Sequence, residues 1–103
     1  MDRRKLLRNL GITANYEGFH HCLAALEVIN REPEALMQVT KRLYPAVAER
    51  YGITWKAVEI GLRRTVKRAW DSNPDFLREL NGRPLPDRPT VSQFLDILAA
   101  NVD

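Results

Sequence analysis

A chain of 103 residues, 45% hydrophobic and 28% charged, has room for one domain with one modest core, so the whole span 1–103 is read as a single domain. No apolar run approaches the ~18 residues of a membrane span, and the basic start MDRRKLLRNLGI leads into neither an apolar stretch nor a small-residue cleavage site, which argues against a secretory signal. Cys22 is the only cysteine, which excludes an internal disulfide and agrees with a reducing cytoplasm.

The elements read as all-helical in chain order. Arg3 to Leu10 is a short helix closed by Gly11 as a left-handed cap. Tyr16 to Asn30 follows, with Phe19, Leu23, Leu26 and Val28 or Ile29 at helical spacing and Asn15 as the expected cap. Pro33 and Glu34 open a third helix with Leu36, Val39, Leu43 and Tyr44 on its apolar side. Pro45 must break or re-aim that helix, and a new one runs to about Tyr51. Beyond Gly52, Thr54 caps a helix reaching about Trp70. Asn73 and Pro74 restart the chain, and Phe76, Leu77 and Leu80 face inward. Asn81 to Pro89 holds three of the six prolines and reads as an extended surface loop. Thr90 and Gln93 have capping-box spacing and begin a last helix that buries Phe94, Ile97 and Leu98.

The net charge of +3 is unevenly spread. Between Lys41 and Trp70 there are eight basic residues and two acids, Glu49 and Glu59, so this segment carries a net +6 and the rest of the chain −3. Acids elsewhere do not interleave with the run, and a concentrated basic field points to a polyanionic partner. The run surrounds a helix-turn-helix pattern at about 45–70. Ala48 is small where a second helix crosses, Gly52 tolerates positive φ at the turn, and Val47, Tyr51, Ile53, Val58 and Leu62 are placed to pin the two helices.

At 3.6 residues per turn, Val58, Leu62, Val66 and Ala69 share one face of the second helix, with Trp55 at its edge, and Lys56, Ile60, Arg63 and Lys67 share the opposite face. Arg64 and Arg68 lie on one flank and Glu59 on the other. This segregation predicts a face that meets double-stranded DNA, where counterion release relieves the self-repulsion. Residues near the start of such a helix reach bases, so Lys56, Glu59, Ile60 and Arg63 are the expected base readers. Arg63 suits a guanine edge and Ile60 a thymine methyl; Glu59 can accept from a cytosine amino group or simply pair with Arg63. Thr54, Arg64, Lys67 and Arg68 are the expected phosphate contacts. Trp55 and Trp70 are expected to pack between helices rather than stack on bases.

At these residues the sequence resembles the C-terminal effector domain of the stage-zero sporulation response regulator. The likeness rests on Leu43-Tyr44-Pro45, Val58-Glu59 and Ala69-Trp70, and extends through LGITANYEGFHHCLAALEVI upstream and RPTVSQFLDILA downstream, roughly Leu6 to Leu98. The resemblance implies a six-helix domain that regulates transcription in endospore formers by binding a short guanine-containing box, often in tandem copies on which the protein self-associates. It places Glu59 and Arg63 on the DNA-reading surface. Ala57 and Ile60 stand where the family has two further arginines, a departure that bears on which sequence is preferred and not on the docking mode. NPDFLRELNG matches the region the family turns toward RNA polymerase sigma factor. The competing reading is a protein-interaction module of the same fold, contacting sigma factor or a related regulator without reading DNA.

Other chemistry finds little support. His20, His21 and Cys22 point about 100° apart in succession on a helix and cannot close on one metal ion. Cys22 is expected to be a small buried apolar residue. No glycine-rich phosphate loop or nucleophile constellation is present, so neither an enzyme nor a cofactor is expected.

Overall fold

Six α-helices account for most of the chain, and no strand forms. The computed structural model describes every residue, Met1–Asp103. Helix α1 spans Arg3–Asn9, α2 Glu17–Arg31, α3 Tyr44–Tyr51, α4 Trp55–Ser72, α5 Pro74–Asn81 and α6 Val91–Asn101. Helix α2 is buried almost all round and touches α1, α3, α4 and α6. One contiguous core of 26 buried apolar residues runs from Leu6 to Leu98. It includes Cys22, whose thiol is pushed up to about 12 by burial and so stays protonated and unreactive. No helix is long and apolar enough to cross a membrane.

Most boundaries follow from local chemistry. Gly11 closes α1 with φ 79°, and Asp2, not foreseen, caps its start by accepting from the Arg4 N–H at 2.8 Å. Asn73 accepts from the Phe76 N–H at 3.2 Å and Pro74 takes the first turn of α5. Leu77 is fully buried, while Phe76 and Leu80 pack against the core at its margin. The capping box of α6 closes in both directions: the Gln93 N–H donates to Thr90 Oγ1 at 3.2 Å and the Thr90 N–H to Gln93 Oε1 at 2.9 Å. Thr90→Ala is therefore expected to cost about 1 kcal/mol, measured by urea unfolding.

Three expectations fail. Asn15 does not cap α2. Its Oδ1 instead accepts from the Thr13 hydroxyl, and the capping position falls on Tyr16, whose side chain makes no cap bond. The third helix does not form as an α-helix. Pro33–Met37 is a 3-10 turn, the backbone re-aims at Gln38, and Val39–Leu43 is a π turn. In that turn the Tyr44 N–H reaches Val39 O; the next such bond would need an N–H on Pro45, which has none, so the wide turn stops and α3 starts. The third failure is Tyr51, which does not pin α3 to α4. It is 41% exposed; its ring lies 5.0 Å from that of His21 and its hydroxyl donates to His20 O at 3.2 Å, so it ties α3 to α2.

Candidate nucleic-acid interface

The corner between α3 and α4 is built from a few local interactions. Gly52 adopts φ 63°, and the Ile53 N–H turns back to Ala48 O at 3.1 Å. A Cβ on Gly52 would meet open space, so the glycine is required by backbone conformation and not by crowding. Thr54 then caps α4, accepting from the Ala57 N–H at 3.1 Å. Its hydroxyl keeps a proton free to donate outward. Ala48 is buried beneath the corner, as its size requires.

Helix α4 has 18 residues and is sharply two-faced. Val58, Leu62, Val66 and Ala69 are all at most 2% exposed. Thr65 joins them, with its hydroxyl satisfied by Gly61 O at 2.8 Å. On the opposite face the side chains of Lys56, Arg63 and Lys67 are 63%, 71% and 61% exposed, and Ile60 lies among them in solvent. Trp55 departs from expectation. It is 41% exposed at the first position of α4, outside the core, with the Lys56 ammonium 5.1 Å over its ring. Trp70 packs between helices as expected, half-buried under the Arg78 guanidinium at 4.8 Å.

The remaining predicted site residues fall into distinct settings. Glu59 is only 13% exposed; its carboxylate lies 3.3 Å from Lys56 Nζ and 3.7 Å from Arg63 Nη2. It also faces Tyr44, whose hydroxyl is raised above its ordinary range first by burial and then by the Glu59 charge. Glu59 thus leans into the flank and holds the two neighbouring cations. Lys67 Nζ donates to Asp71 at 2.6 Å, an acid one turn beyond the basic run that does interleave with it. An exposed pair of this kind is worth at most ~1 kcal/mol and is easily exchanged for a phosphate. Arg64 is exposed beside Tyr16 and Ile53. Arg68 is engaged within the chain: its Nε donates to Gly11 O at 3.0 Å and its guanidinium lies 4.6 Å over the Tyr16 ring. It docks α4 on the loop between α1 and α2 and leaves its outer N–H groups for another partner.

His21 lies against the buried side of α4, near Gly61. His21 is 4% exposed, its Nδ1 has no hydrogen-bond partner, and its Nε2 lies 3.9 Å from the Glu17 carboxylate. Burial lowers its pKa, Glu17 opposes that, and His20 adds to it. The folded value is below the unfolded one of about 6.5, so the unfolded chain binds the proton more readily and stability rises with pH. His21's contribution is complete above that value and is lost as pH falls through the folded pKa. The melting temperature is therefore expected to drop between neutral and mildly acidic pH, and His21→Leu to flatten the drop.

His20 is exposed and bonded to Ala14 O at 2.8 Å, His21 lies against Tyr51, and Cys22 is in the core, so the three face separate surroundings. Residues that sequence reasoning missed are Thr40 and Arg88, which line a cleft on the Glu59 side of α4. No periodicity marks them, because one lies in the π turn and the other in the proline-rich loop.

Compared with models of known protein families, residues 4–102 match the family described as Sporulation initiation factor Spo0A C terminal.

Proposed function

From the premise that the chain belongs to this Spo0A C-terminal family, we propose that α3, the Gly52 corner and α4 act as a helix-turn-helix, in a single effector domain spanning 1–103, with the exposed face of α4 in the major groove. The family is the DNA-binding effector domain of the sporulation response regulator, and this chain is a sequence-specific double-stranded DNA-binding domain for transcription regulation. The family is regulatory and not catalytic.

Within that function, Lys56, Ile60 and Arg63 are our base readers. Glu59 contributes through its hold on Lys56 and Arg63 and through whatever cytosine edge comes within its reach. Thr54, Arg64, Lys67 and the outer edge of Arg68 take phosphates. The observation that carries this reading is the exposure of Lys56, Arg63 and Lys67 in one row directly behind the corner, opposite the buried stripe of Val58, Leu62 and Val66. Cations in such a row gain most from an ordered polyanion. We further propose that α5 faces RNA polymerase sigma factor, that copies associate on tandem sites, and that the domain works in the cytoplasm, where bacterial DNA lies.

Selection of bound sequences from random duplex DNA tests the reading. Enrichment of a short motif is expected, repeated at helical-turn spacing if copies associate. No enrichment, with weak binding that ignores salt, would instead favour the protein-interaction module.

A further inference from the structure

Helix α4 is flanked by two clefts. On one side Glu59 and Arg63 line a cleft of about 580 Å³ together with Thr40, Tyr44 and Arg88. On the other side Arg64 borders a cleft of about 480 Å³ with Tyr16, Ile53 and Ile60. The two clefts run alongside the same helix, one on each flank.

Arg88 is exposed, yet its anchorage is firm. Pro89 is buried immediately after it, Thr90 starts α6 in the closed capping box, and Val91 enters the core. Farther back, Arg78 Nε donates to Leu85 O at 3.2 Å and holds the loop down. The Arg88 side chain joins none of the ion pairs in the protein, and neighbouring Asp87 does not neutralise it. The one carboxylate in the cleft, Glu59, is already flanked by Lys56 and Arg63. An unpaired guanidinium thus extends from an anchored stretch of backbone, beside a cleft that Arg63 also lines.

A major groove about 12 Å wide is bordered by two phosphate backbones, and a helix seated in it turns one flank to each. Resting on the reading of α4 as the groove-facing helix, we propose that Arg88 binds a phosphate of the strand on the Glu59 flank, opposite Arg64 on the other strand. The Asp87–Pro89 corner is then one jaw of a clamp that sets how deep and in which register α4 sits. Such a contact positions the protein without reading sequence.

The test is a salt series of binding to mixed-sequence duplex DNA and to the best sequence from the random pool, using the whole chain, Arg88→Ala and Arg83→Ala. Arg83 lies on the same loop, exposed and outside the cleft. Arg88→Ala should weaken both duplexes by the same several-fold factor and reduce the salt slope by about 1. Arg83→Ala should leave both unchanged. All three proteins should melt alike. Wild-type affinity and slope in Arg88→Ala, or a loss confined to the selected sequence, overturns the clamp while leaving α4 as the reading helix. Failure of the unsubstituted chain to bind either duplex overturns the DNA reading and the clamp with it.

Discussion

Gly18→Ala should destabilise the protein by about 2–3 kcal/mol, even though alanine is ordinarily the better helix former. The added Cβ would lie 1.9 Å from Thr65 Oγ1, 3.1 Å from Thr65 Cβ and 2.7 Å from Tyr16 Cε2. Thr65 cannot yield readily: it is fully buried, β-branched and bonded to Gly61 O. Relief requires α2 and α4 to separate, and this crossing sets how far α4 stands out from the domain. Urea or thermal unfolding should show a melting temperature lower by roughly 10–20 °C. Thr65→Ala in the same background should restore part of the loss, because it removes the clashing atom. Gly61→Ala provides the contrast. Its Cβ would sit 3.5 Å from His21 Nδ1, an ordinary contact in mid-helix, so stability should hold or rise by up to ~1 kcal/mol. A Gly18→Ala variant that melts with the parent would show that α2 and α4 are not packed this closely.

Arg63→Ala is the second large effect, and it should appear in binding alone. Its guanidinium is exposed, and its contact with Glu59 at 3.7 Å is a helix-surface pair worth only ~0.2–0.5 kcal/mol. The melting temperature should barely move. Affinity for the selected DNA should fall by about 1–3 kcal/mol, roughly five- to 150-fold, with preference relaxed at one base position. Arg63→Lys should not rescue it, since an ammonium cannot make the bidentate contact with guanine. Lys67→Ala should behave differently, weakening every duplex alike and lowering the salt slope by about 1. If Arg63→Ala affected all sequences equally, Arg63 would be a phosphate contact and the assignment of readers along α4 would have to shift.

The caps at Thr54, Asn73 and Thr90 and the turn at Gly52 were legible in the sequence because each depends on atoms within a few residues along the chain. The two faces of α4 were legible because a helix repeats at a fixed angle. The stretch from Pro33 to Leu43 was not. Its apolar spacing suits an α-helix, but the proline at 45 and the need to redirect the chain at Gln38 give one tight 3-10 turn and one wide π turn. The bonds that place individual site residues were also hidden, because they span the fold. Arg68 meets Gly11 across 57 positions, and Glu59 turns toward Tyr44 on another helix. Periodicity puts Arg68 and Glu59 on flanks but cannot say what stands beside each flank. Arg88 was invisible for the same reason: a loop has no period, and it shares a cleft with Arg63 only once α6 is docked.

The outward row of α4 is the surface proposed to meet DNA. Amide chemical-shift mapping during titration with duplex DNA locates that surface residue by residue. The largest changes should follow Thr54, Lys56, Ile60, Arg63, Arg64 and Lys67, fade with added salt, and leave α5 largely unmoved. Changes concentrated on α5 or α1, with the α4 row unperturbed at saturation, would contradict that placement.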